Sequence, residues 1–261
     1  MADSLLPLAV HAAEEAGRLL MERFGGPAHG VGSKSTPTDP VSDADRDSEA
    51  LILGLIAKER PDDGVLGEEG GGKESTSGVT WIVDPLDATV NFLYGIPHWC
   101  VSVAAADPDG TIIGVVHNPN LGEIFIAELG AGAQLNGRPI RVSGRSDPAA
   151  SLVATGFSYD ARARSEQAAI AARLLPIVRD IRRAGSAALD LATLAAGRID
   201  GFYEAPLELW DKAAGILLVT EAGGVVSEIP APLGLTPGVV AANPALHDEL
   251  RKLVTSDEHR A

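Results

Sequence analysis

The chain has 261 residues, with 21 Lys+Arg against 36 Asp+Glu, a formal net charge of −15, and 45% hydrophobic residues. That length allows one large domain or two ordinary ones, the apolar content is that of a folded globular chain, and the acidity argues against broad nucleic-acid binding. A single cysteine, Cys100, excludes an internal disulfide and a thiolate metal site, and no apolar run approaches the ~18–20 residues of a membrane helix.

The opening Met1-Ala2-Asp3-Ser4 has no basic segment ahead of an apolar one, so no signal peptide is expected and the protein is read as soluble and cytoplasmic. Leu5, Leu8, Ala9, Ala12, Ala13, Ala16, Leu19 and Leu20 recur at helical steps, and Gly25-Gly26-Pro27 ends the pattern. A polar loop over 30–40 carries Lys34 and Asp39. Ser42 then reads as the N-cap of a second helix that buries Leu51, Ile52, Leu55 and Ile56 and stops before Pro61. After Gly67-Glu68-Glu69 and a loop to Gly78, the period changes to two. Residues 81–83, 101–106, 112–116 and 124–127 are short β-type runs separated by turn signals such as Pro108-Asp109-Gly110, which predicts an antiparallel meander. Beyond about residue 145 strands and helices alternate. Strands are expected at 152–155, 201–204 and 239–242, and helices near 165–182 and over 186–196, 211–222 and 244–254. The whole predicts a layered α+β / α/β sandwich, with an N-terminal half (1–145) and a C-terminal half (146–261) forming one compact unit.

Carboxylates gather at element ends rather than on solvated faces: Asp39 and Asp45, Glu68 and Glu69, Asp84 and Asp87, and Asp211. Buried-type strands do not normally end in two acids three residues apart around a proline, as 81–87 does. Pro85 fixes a turn that lets Asp84 and Asp87 point to one side, and residues 87–91 can begin a helical turn whose N–H groups face an anion. Two carboxylates about 4 Å apart repel by roughly 4 kcal/mol at an effective dielectric near 20, so such a cluster needs cations. An all-oxygen donor set favours a hard ion, Mg²⁺ before Zn²⁺ or Cu²⁺, and Mg²⁺ beside an anion cradle implies phosphoryl chemistry.

Trp81-Ile82-Val83-Asp84-Pro85-Leu86-Asp87-Ala88-Thr89-Val90-Asn91-Phe92 resembles the first signature of the inositol monophosphatase family, and Trp210-Asp211-Lys212-Ala213-Ala214-Gly215 with Thr220-Glu221-Ala222-Gly223-Gly224 resembles its second. Gly67-Glu68-Glu69 stands where that family has its metal-binding glutamate, and Gly32-Ser33-Lys34-Ser35, Asp39 and Asp45 resemble its N-terminal loop. The resemblance implies the αβαβα sandwich shared with fructose-1,6-bisphosphatase, and two or three Mg²⁺ per site. Glu68, Asp84, the Leu86 carbonyl and Asp87 would hold the first metals, and Asp211 with Asp84 and Asp87 a further one. Thr89, supported by Asp45 and Glu68, would orient and deprotonate water. The backbone at Ala88 and Thr89 would hold phosphate, while Gly185, Ser186, Ala187, Glu204 and Asp211 would meet the hydroxyls of a small phosphorylated polyol or sugar. A homodimer and sensitivity to Li⁺ are implied too.

The implied activity is hydrolysis of a phosphate monoester, inositol-1-phosphate first. Histidinol phosphate, fructose 1,6-bisphosphate and 3′-phosphoadenosine phosphate remain open, as does a weakly active regulatory binding protein of the same fold. Two positions depart from the family pattern: Ala88 replaces its usual glycine, and Glu208 stands where animal relatives carry His. Cys100 is expected to pack in the core and His98 to be a packed or interface residue. Arg179, Arg182 and Arg183 read as the solvated face of a helix.

Overall fold

The structure is a computed structural model that describes residues 5–34, 40–70 and 72–255. Asp39 and Ser35 of the N-terminal loop lie outside the described residues. The chain begins with α1 (Leu5–Arg23), the small pair β1 (Gly32–Ser33) and β2 (Pro40–Val41), and α2 (Asp43–Glu59). There follow β3 (Gly64–Gly67), β4 (Gly72–Lys73), β5 (Thr80–Asp87) and the short α3 (Thr89–Leu93). The meander is β6 (Cys100–Asp107), β7 (Gly110–Asn118), β8 (Glu123–Glu128), β9 (Gly132–Leu135) and β10 (Arg138–Pro139). The remainder is β11 (Leu152–Thr155), α4 (Ala161–Leu174), β12 (Asp180–Arg182), α5 (Ala187–Ala195), β13 (Gly201–Glu204), α6 (Leu209–Glu221), β14 (Val225–Ile229), β15 (Gly238–Ala242) and α7 (His247–Thr255).

An eight-stranded sheet runs in the order β10-β9-β8-β7-β6-β5-β3-β4, and a five-stranded sheet in the order β12-β11-β13-β15-β14. The expected antiparallel meander is present from β5 to β10. Helices α1 and α2 cover one face of the large sheet, α5 and α6 fill the space between the two sheets, and α7 with α4 covers the far face of the small one. This is the αβαβα sandwich.

Sequence period and layer agree residue by residue. Along β5 and β6, Trp81, Val83, Val101 and Val103 enter the core under α1 and α2, whereas Ile82, Cys100 and Ala104 face the central helices. On β13 and β15, Phe202 and Ala241 face the centre while Tyr203 and Val240 face the outer core. Strands buried on both faces are largely apolar on both, so polar alternation does not mark them. Gly114 lets α6 approach β7: a Cβ there would lie 2.9 Å from the Ala214 Cα. Among the described residues, no helix is long and apolar enough to cross a membrane.

Three expectations need correction. The helix placed at 165–182 is α4, which starts at its N-cap Asp160 and gives way before Pro176, a residue that cannot continue a helix. Residues 180–182 form the edge strand β12, so Arg179, Arg182 and Arg183 lie on no helix face. Strand β14 was hidden by its exposed, mixed edge pattern, and of the residues assigned to the buried face of α2, Leu51 and Leu55 are only partly buried.

Candidate active site

Parallel pairing of β3 with β5 sets Gly67 opposite Val83, so the next residues, Glu68 and Asp84, emerge side by side at the C-terminal ends of two adjacent interior strands. The Glu68 N–H extends the ladder to the Val83 carbonyl (3.2 Å). On the other side of β5 the register against β6 shifts between Asp84 and Asp87, where Pro85 withholds a donor. That bulge turns both aspartates to the same side.

Helix N-termini supply the rest. Asp45 is residue N3 of α2 and completes a capping box: its Oδ2 accepts from the Ser42 N–H (2.8 Å) and hydroxyl (2.6 Å). Its other oxygen accepts from Thr89 Oγ1 at 2.7 Å. Asp211 occupies N3 of α6, where Oδ2 accepts from the Glu208 N–H at 2.7 Å. Asp87 accepts from the Ala188 N–H (2.9 Å) and from the hydroxyl of Ser186, the N-cap of α5. Three helices, α2, α5 and α6, thus bring their N-terminal ends to one region, a field that favours anions.

Among the candidates, Glu68, Asp84, Leu86, Asp87, Ala88, Thr89, Gly185, Ala187, Glu204 and Asp211 line a single cavity of about 610 Å³. Ser186 and Asp45 do not line it. Ser186 is fully buried with its hydroxyl engaged by Asp87, so it positions that carboxylate rather than meeting a ligand. Thr89 is held by Asp45, whereas the recorded partners of Glu68 are Lys34 and Asp84.

Lys34 Nζ lies 2.7 Å from Glu68 Oε1 and also pairs with Glu69. Burial works to lower the Lys34 pKa, but the two glutamates outweigh it and hold it raised. Burial lifts the Asp84 carboxyl well above the usual range, and Glu68, Asp87 and Asp211 add to the effect. Asp211 is raised in the same way, by burial first and then by Glu68 and Asp87. Burial also raises Glu68 in spite of Lys34. Glu204 is pushed up to about 8 by burial and by Asp190 and Asp87, against the pull of Arg183.

Among the described residues, no three acidic, histidine or cysteine side chains yet converge as a ready coordination shell. The chemistry of the donors nevertheless fits a hard cation: all are oxygens, they repel one another, and Lys34 is the ammonium that partly neutralises them. An acid that holds its proton more tightly when folded stabilises the fold below its unfolded pKa, and that stability is lost as pH rises through the folded value. With divalent ions chelated, the melting temperature is therefore expected to fall between about pH 5 and pH 8, and excess Mg²⁺ to restore it at the upper end. A melting temperature that rises over that window in chelator would contradict this.

Ala88 has φ 75° and ψ 49°, the left-handed conformation, so it follows the path a glycine would take. An L-residue in this conformation carries a strain of about 1–2 kcal/mol. Ala88→Gly is expected to raise the melting temperature by about 2–4 °C, equivalent to about 1 kcal/mol at this chain length. An unchanged value would show that the strain is absent.

Other groups in or beside the cavity were assigned no site role from the sequence. Arg183 lines the cavity, and Asp190, in the first turn of α5, is a buried carboxyl raised well above its ordinary value by burial and by Asp87. Asn91 donates to the His98 and Ala184 carbonyls (2.7 and 2.9 Å), which brings Gly185 to the cavity wall. Glu208 accepts from Thr236 Oγ1 at 2.6 Å on the rim. Cys100 is fully buried against Asp87 and Ser186, where burial raises its thiol pKa well above normal. His98 is outside the cavity lining, with burial lowering its pKa.

The family model described as "Inositol monophosphatase family" matches residues 1–259. An inositol-1-monophosphatase of Mycobacterium bovis is 43% identical over 240 residues, 88% of this chain and 83% of that protein. The Nus factor SuhB of Escherichia coli is 42% identical over 244 residues, 92% of this chain and 91% of that protein. The crystal structure of the extragenic suppressor protein SuhB from Bartonella henselae superposes with a TM-score of 0.90 at 38% identity, covering 97% of this chain and 99% of that one. On its motifs, its fold and these similarities, the chain belongs to the inositol monophosphatase family.

Proposed function

We propose that the protein is a Mg²⁺-dependent phosphatase of small polyol or sugar phosphate monoesters, with inositol-1-phosphate the first choice. The observation that carries the reading is that Glu68, Asp84, Asp87, Thr89 and Asp211 line one cavity, with Asp45 accepting from Thr89 outside the lining. Glu68, Asp84, the Leu86 carbonyl, Asp87 and Asp211 would hold two or three Mg²⁺. Bound there, Mg²⁺ supplies Lewis acidity toward water and charge neutralisation at the departing oxygen.

The chain's own groups do the rest. Thr89 donates its proton to Asp45, which leaves its oxygen free to accept a proton from water and fix that water's direction. The N–H groups at the start of α3 face the phosphate from the left-handed turn at Ala88. Glu204, at the end of β13, and Asp211 accept hydrogen bonds from substrate hydroxyls, while Gly185 and Ala187 shape the wall. Residues 1–145 and 146–261 are two halves of one catalytic unit, since the first contributes Glu68 to Thr89 and the second Gly185 to Asp211. A cytoplasmic homodimer sensitive to Li⁺ belongs to the same reading.

A second reading, a regulatory binding protein with little turnover, is favoured by the methyl group of Ala88 at the cradle and by the regulatory name of the Escherichia coli relative. Phosphate release from a panel of monoesters, with and without Mg²⁺, separates the two. Mg²⁺-dependent turnover of inositol-1-phosphate is expected, and no metal-dependent release from any ester would leave the binding protein.

A further inference from the structure

Only eleven side chains are aromatic, and six of them are buried. Of the five left partly open, Phe24 packs on Phe92 and Trp99, and Tyr94 stands at the end of α3. The other three, Phe157, Tyr159 and Trp210, all line the candidate active site, where Pro206 and Leu235 join them. Tyr159 is 40% exposed and Leu235 38%. Single exposed apolar groups are ordinary, but five in one concave wall mark a surface that a ligand covers.

The wall is braced by polar side chains behind it. Gln167 accepts from the Ser158 N–H (2.9 Å) and donates to the Ala205 carbonyl (2.6 Å), which ties the Phe157–Tyr159 segment to that of Pro206. Lys212 Nζ donates to the Leu207 carbonyl (2.9 Å) and the Pro237 carbonyl (2.8 Å), and Thr236 Oγ1 donates to Glu208 (2.6 Å), which ties the Leu235 segment to the start of α6. Charged groups on the same rim are already engaged. Asp160 takes the Arg162 N–H and guanidinium (both 2.8 Å), and Glu208 takes the Thr236 hydroxyl.

Position decides which part of a substrate meets this wall. Trp210 directly precedes Asp211, and Pro206 lies two residues beyond Glu204, the two acids proposed to accept from substrate hydroxyls. The proposed phosphate cradle belongs instead to the turn between β5 and α3. The apolar wall therefore borders the alcohol of the ester. We propose that it forms a subsite for a flat apolar ring carried by that alcohol, with Tyr159 and Leu235 as specificity-determining residues. The inference rests on the phosphatase reading and extends its substrate class beyond bare polyols to sugar monophosphates that bear an aryl group. Inositol-1-phosphate, with a hydroxyl on every carbon outside the ester, leaves the wall facing water, whereas an aryl group removes apolar surface from water on both sides of the contact.

The test measures phosphate release by the full chain in Mg²⁺ from phenyl and methyl β-D-glucoside 6-phosphate, which differ only in the group at C1, and from inositol-1-phosphate. The phenyl ester is expected to have a kcat/KM about tenfold higher than the methyl ester, mainly through KM, as the burial of a ring in an apolar wall demands. Tyr159→Ala and Leu235→Ala are each expected to cut that ratio about threefold or more, and the double variant to bring it close to parity. Both side chains are exposed, so neither substitution opens the core, and either single variant decides the point if the double variant fails to fold. Leu129→Ala, at an exposed leucine outside this cavity, is expected to keep the wild-type ratio. Equal kcat/KM for the two glucoside esters, or a wild-type ratio in the Tyr159 and Leu235 variants, would overturn the proposal and leave the phosphatase reading standing. No release from any of the three esters would bring down both.

Discussion

Asp84→Asn is expected to reduce Mg²⁺-dependent phosphate release by about a thousandfold or more, the consequence of removing several kcal/mol of metal-centred charge stabilisation. The same substitution is expected to raise the melting temperature in chelator at pH 8 by about 2–4 °C, the shift that about 1 kcal/mol produces in a chain of this size. The opposition of the two effects follows from position. Asp84 is 2% exposed and faces Glu68, Asp87 and Asp211, so without divalent ions its charge is a burden. The replacement amide keeps the acceptor for the Leu86 N–H, a 3.1 Å bond, and can donate to Glu68. Activity is followed by phosphate release and stability by circular dichroism. A variant that melts lower than wild type in chelator would show that Asp84 serves the fold through a bond the amide cannot replace.

Thr89→Ala is expected to lower kcat by about 10²–10⁴-fold with little change in KM, the range for loss of a positioned proton acceptor. Asp45 separates catalysis from capping. Asp45→Ala removes the capping box of α2 and is expected to cost about 0.5–2 kcal/mol of stability. It also leaves the buried Ser42 without its partner. In Asp45→Asn an acceptor remains for the Ser42 N–H, so most of the cap survives, but the amide that faces Thr89 Oγ1 reverses the direction of that 2.7 Å bond. Thr89 then keeps only the weaker acceptor, the Leu86 carbonyl at 3.2 Å. Asp45→Asn is therefore expected to lose kcat nearly as severely as Thr89→Ala while melting close to wild type. Wild-type kcat in Asp45→Asn, measured alongside an unchanged melting curve, would confine Asp45 to a structural role.

The Lys34–Glu68–Glu69 contacts place an internal ammonium among the proposed metal ligands. Because Lys34 is tied to two glutamates at once, cation entry there must displace or share it. The same contacts offset part of the repulsion on Glu68 and Glu69.

Local chain chemistry determined much of this protein on its own. The three- and four-residue apolar steps of α1, the Ser42 cap of α2, the turn signals of the meander and the Gly223 stop after α6 are short-range features, readable because each depends on neighbours within one or two turns. The acids Glu68, Asp84 and Asp87 were readable for a related reason: carboxylates at the end of a buried-type strand are out of place unless something uses them, whereas Asp211, an ordinary first-turn acid of α6, stood out only through its motif. Tertiary structure alone decided which groups meet. Arg183 and Lys34 look like ordinary charges, and they become cavity residues, with the buried Asp190 close enough to act on Glu204, because parallel β3–β5 pairing and the packing of α5 between two sheets bring segments far apart in sequence to one point. Ser186 carries the same hydroxyl in either account, yet whether it faces a ligand or props Asp87 depends on a contact across 99 residues that no local pattern encodes. The left-handed backbone of Ala88 was likewise settled by the fold, since its own side chain disfavours that conformation.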